Sequence, residues 1–159
     1  TFSPSLKKMC EELLRSLPAV FDVHMHLFAM NDKEHAYTHP NYHKPFFHPL
    51  FYWQGRVFQS ASGVKNLERA DVEAKKRLFS LVEEFPFTSY KGLLFAFSKT
   101  YDKNSKSENL NKTSFHVSND YLLSVIEKKD QFIPVGSVHP FDLNVEKKID
   151  HLFIQVLSF

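Results

Sequence analysis

Asp22-Val-His24-Met-His26 stands inside the short apolar run VFDVHMHLF and is the strongest chemical signal in the chain. Side chains two apart on a strand share a face. The alternation therefore predicts Asp22, His24 and His26 on one side and Phe21, Val23, Met25 and Leu27 on the other. An imidazole is mostly neutral at neutral pH, which leaves a ring nitrogen for a metal. Two of them at one strand end can hold a divalent ion, zinc first and manganese second, given further donors from elsewhere. Asp22 is expected to orient that pair or to stabilise its strand, because metal-bound histidines need a hydrogen-bonding partner.

Three further residues follow apolar runs and so fall at strand ends, where α/β sheets build their sites. Lys99 and Tyr101 come after GLLFAF, and His139 comes after FIPVGSV. His139 would touch a substrate or fix a loop before Pro140, and Lys99 or Tyr101 would meet a carboxylate or simply pack at the surface. His35, His39, His43 and His48 have helix-like spacing, but Pro40, Pro45 and Pro49 break that segment. No separate metal cluster is expected there. Tyr37, Phe46, Phe47 and Trp53 in the same stretch would cover a site and exclude water, or else lie on the surface. There is no Walker A sequence, GxGxxG turn, GxSxG elbow or HExxH pair.

The elements that must position these groups can be read from periodicity. Leu6, Met9, Cys10, Leu13, Leu14 and Leu17 recur at helical spacing, with Ser3 to cap the helix, Pro4 in its first turn and Pro18 to end it. The stripe places Cys10 where burial is expected. Residues 29–63 show no regular period and are expected to form a long loop. A helix follows from about Leu67 to Glu84, with Glu73 and Arg77 as an i,i+4 pair. Gly92–Phe97 and Phe132–Val138 are strands, 101–114 is an exposed loop, Asn119 caps a helix through Lys129, and Asn144 opens a last helix. Apolar strands alternating with amphipathic helices indicate an α/β protein with a parallel sheet.

Composition narrows the function. A chain of 159 residues can form one domain with a core, and a net charge of +2 is too small for a strong nucleic-acid footprint. A single cysteine excludes an internal disulfide and fits a reducing, cytoplasmic setting. No apolar run reaches the roughly 18 residues of a membrane span.

VFDVHMHLF, GLLFAFSKTYD and FHVSNDYLLSVIEKKDQFIPVGSVHPFD, in this order, resemble the amidohydrolase-related family of metal-dependent hydrolases. The nearer likeness is to the branch that includes aminocarboxymuconate-semialdehyde decarboxylase. It spans roughly residues 18 to 150. The resemblance implies a (β/α)8 TIM barrel, of which the chain would hold the first three to four βα units. It also implies His24 and His26 as metal ligands, and metal-assisted hydrolysis or decarboxylation of a small organic substrate. A whole barrel takes about 250 residues, so 1–159 reads as one incomplete barrel domain with a long loop insertion at about 29–63. The chain would then be the N-terminal part of a larger enzyme, one half of a split protein, or a frameshifted product. The alternative is a truncated, non-catalytic fragment or an assembly module. Open sheet edges invite pairing, so either self-association or a complementing C-terminal half is expected.

Overall fold

The computed structural model describes residues 3–85 and 90–157. Ser3 and Pro4 start α1 (Pro4–Arg15) as expected, the serine hydroxyl accepting from the Leu6 amide. A parallel sheet is then built from β1 (Val20–His26), β3 (Tyr90–Phe95) and β5 (Phe132–Val135), in the spatial order β1-β3-β5. Between β1 and β3 lie β2 (Ala36–Thr38), a 3₁₀ turn at Pro40–His43, α2 (Pro49–Ala61) and α3 (Ala70–Glu83). After β3 come β4 (Phe115–Val117), α4 (Asn119–Ile126) and, beyond β5, α5 (Val145–Leu157). β2 and β4 pair antiparallel as a second, separate sheet, joined to the first by one bridge from Phe97 to Val117.

This corrects the barrel expectation. The chain is an α/β fold with a three-stranded and a two-stranded sheet, not a closed barrel. After β5 the chain continues into α5, so among the described residues the parallel sheet has no fourth strand. The stretch 29–63 is not a long loop either. Two of its three prolines start elements, Pro40 opening the 3₁₀ turn and Pro49 the first turn of α2, where a missing amide proton costs nothing. That insertion is packed. Gly55 of α2 leaves room for the Tyr42 ring, which would lie 2.9 Å from a Cβ there, and Tyr42 stacks on Phe115 at 4.8 Å.

One face of the parallel sheet is covered. Leu94, Ala96 and Phe132 pack with Val82 of α3 and with Tyr121, Leu122 and Ile126 of α4. The other face carries Leu93, Phe95, Ile133 and Val135 beside the histidines, and Ile133 is 40% exposed there. α1 contributes no buried residue, so Met9, Cys10 and Leu13 of its apolar stripe face solvent. The burial expected for Cys10 is therefore not found. Glu73 does not pair with Arg77 in an ion pair either. Its carboxylate accepts the Lys65 and Asn66 amides, which hold it below the usual range. Ser118, one residue before the expected Asn119, caps α4.

Candidate functional site

β1 brings the two histidines together. Their Nε2 atoms are 2.9 Å apart, one ring donating and the other accepting, with the rings edge to face at 4.5 Å. Both rest on Phe95 of β3, and His26 also stacks on Phe97, just beyond that strand, at 4.4 Å. Partial burial, followed by the charge of His24, lowers the His26 pKa. The neutral form that a metal needs is thus favoured.

Asp22 does not join them. The β1–β3 register slips between Asp22 and Met25, and this bulge ends the simple alternation predicted from sequence. The Asp22 carboxylate accepts the backbone amide of His24 at 3.1 Å and the Tyr90 hydroxyl at 3.5 Å, while that same hydroxyl reaches the Met25 sulfur. These contacts brace the bulged strand rather than either imidazole.

The donor set answers the question of metal fit. Two imidazole nitrogens fit two corners of a zinc or manganese site. Among the described residues, no group of three or more His, Cys, Asp or Glu side chains is placed to hold a metal ion. The two histidines are therefore not completed into a metal centre among the described residues, and with no closed barrel either, the reading as a metal-dependent hydrolase or decarboxylase is set aside. His35, His39 and His48 are engaged separately, with Ser118, the Asn41 amide and the Phe51 ring. Nor do the aromatics of the insertion cover the pair, since Phe46, Phe47 and Trp53 are 94%, 83% and 67% exposed.

Lys99, Tyr101 and His139 do converge, around a polar cavity of about 210 Å³ away from the histidine pair. Tyr101 and His139 stack at 5.2 Å. The Tyr101 hydroxyl donates to Asp142 at 2.8 Å, Lys148 donates to the same carboxylate, and Lys99 pairs with Glu108 at 2.8 Å. Burial alone would raise the Asp142 pKa. Lys148, the Asn144 amide and Tyr101 outweigh it and bring the pKa down to about 2. Both lysines among the described residues lining this cavity, Lys99 and Lys148, are thus already paired with a carboxylate.

Asp142, Lys148 and His116 were not singled out from sequence. Tyr101 and Asp142 are 41 residues apart, beyond any local spacing rule. Asp142 does carry a local signal, in the turn that follows His139-Pro140.

No family model, curated protein or solved structure matches the chain. Among the described residues, no helix is long and apolar enough to cross a membrane.

Proposed function

We propose that the chain is a non-catalytic assembly module whose uncovered sheet face is closed by another polypeptide, a second copy of itself in the first instance. One observation carries this reading. The accessible surface is 11118 Å², whereas a folded monomer of 18.6 kDa exposes about 8,200 Å². The excess is roughly 2,900 Å², within the range that obligate interfaces bury. Parallel sheets are buried on both faces, and here the face bearing Leu93, Phe95 and Ile133 lacks its second layer.

The resemblance to the amidohydrolase-related family enters only through the histidines. In this reading His24 and His26 supply two ligands to a shared zinc or manganese ion, and donors from the partner supply the rest. The ion then holds the contact together. A cytoplasmic setting is part of the proposal, supported by the lone Cys10.

Sedimentation equilibrium tests it. The native chain should run above the 18.6 kDa monomer, and Ile133→Lys should return it to that mass without loss of helical circular dichroism. A native chain that stays monomeric at every concentration, with cooperative unfolding, would rule the reading out.

A further inference from the structure

A second cavity, of about 330 Å³, lies where the two sheets meet. Its walls come from the end of β1 and the residues just after it, from the last turn of α2, and from β4. Phe58 and Phe115 stand edge to face at 5.1 Å, and Phe28 faces Phe115 at 6.4 Å. Phe97 closes another side, stacked on His26. Ala61 and Val117 complete a lining that is apolar apart from His26 and Ser62.

Size, shape and charge define an occupant. An apolar cavity of about 150 Å³ holds a benzene ring, so this one has room for two fused rings. Phenyl walls presenting both edges and faces favour a ring system over a flexible alkyl chain, because offset and edge-to-face contacts add to simple burial. Among the described residues no lysine or arginine lines the cavity, and a carboxylate or phosphate buried there would lose its hydration uncompensated. The two polar side chains can meet a single hydroxyl or N–H.

We propose that this cavity binds a neutral two-ring aromatic molecule, seated between Phe58, Phe97 and Phe115 with its polar group toward His26 or Ser62. The site does not depend on the assembly reading, since its walls all belong to one chain.

The probe is 2-naphthol, followed by methyl NMR on the full chain. The methyls of Ala29, Ala61 and Val117 should shift saturably, with a Kd on the order of 0.1 mM for a ligand of this size. Ala61→Phe, at an exposed position where added bulk is tolerated, should occlude the cavity. Phe58→Ala should remove a wall. Each should weaken binding about tenfold or more, and 2-naphthoate should bind at least tenfold more weakly than 2-naphthol. Three results would each overturn the site: no saturable shift, shifts centred on Leu13 or Ile154 instead, or affinity unchanged in both variants. Equal binding of 2-naphthoate would overturn the assignment to neutral ligands.

Discussion

The thioether of Met25 lies so close to Gly92 that a Cβ there would sit 2.3 Å from its sulfur. In the β1–β3 register Gly92 is paired with Asp22 and Met25 with Leu94, so Met25 and Gly92 approach diagonally across the slip between Asp22 and Met25. The constraint at Gly92 thus comes from a neighbouring side chain, whose sulfur must move to admit a Cβ, rather than from its own backbone angles.

Gly92→Ala is expected to displace Met25 from beneath Tyr90 and to cost about 1–3 kcal/mol as an overpacked core position. In the Met25→Ala background the same change should cost much less. Urea denaturation of the four proteins in the cycle measures the difference. Additive losses would show that the steric conflict is not between these two groups.

Asp142 gathers Lys148, Tyr101 and the Asn144 amide while nearly buried itself. Asp142→Asn should destabilise the fold by about 2 kcal/mol, because it leaves Lys148 without its counter-charge. The sign with pH follows from its depressed pKa. The stabilisation is present above the ordinary aspartate value of 3.8 and is lost as pH falls through about 2. Acid titration followed by tyrosine fluorescence should show a transition that the asparagine variant lacks.

His116 is pushed below the ordinary histidine value of 6.5, first by burial and against the opposing pull of the Phe97 carbonyl. The unfolded chain then takes up a proton before the folded one does. Stability is full above 6.5 and declines as pH falls from there toward the lowered folded pKa. His26 acts in the same direction. The Tm should drop between about pH 7.5 and pH 5, and His116→Gln should shrink that drop.

Lys128 follows α4 with φ 62, in the left-handed region. Lys128→Gly should relieve that strain and stabilise the protein by about 0.5–1 kcal/mol. Thermal melts suffice to check it, and a lower Tm would contradict the assignment.

The local elements were legible wherever one short-range rule decided the structure. Ser3-Pro4 marks the start of α1, and the apolar run at Gly92–Phe97 marks β3. The insertion was not legible, because its order comes from distant partners. The Asp71 carboxylate of α3 accepts the amides of Met30, Asn31 and Asp32, a contact across about forty residues that no periodicity announces. β2 and β4 are three residues each and are defined by pairing with one another and, for Val117, with Phe97. At the candidate site, the convergence of His24 and His26 followed from period two. The position of Asp22 did not, because the bulge inserts one residue between them and turns its carboxylate to Tyr90. Closure into a barrel needs strands from outside the reach of any local pattern, and the resemblance alone suggested it.

That bulge also bears on what the molecule can grow into. An edge strand with an unbroken ladder is a template onto which further strands can zip without limit, which is how fibres propagate. The slip between Asp22 and Met25 interrupts the ladder on β1, and Asp22 adds a charge beside the break. Growth along the hydrogen-bonding direction is blunted there, while contact across the sheet face is not. On the assembly reading proposed above, copies of the chain should therefore form closed, countable species rather than open-ended polymers.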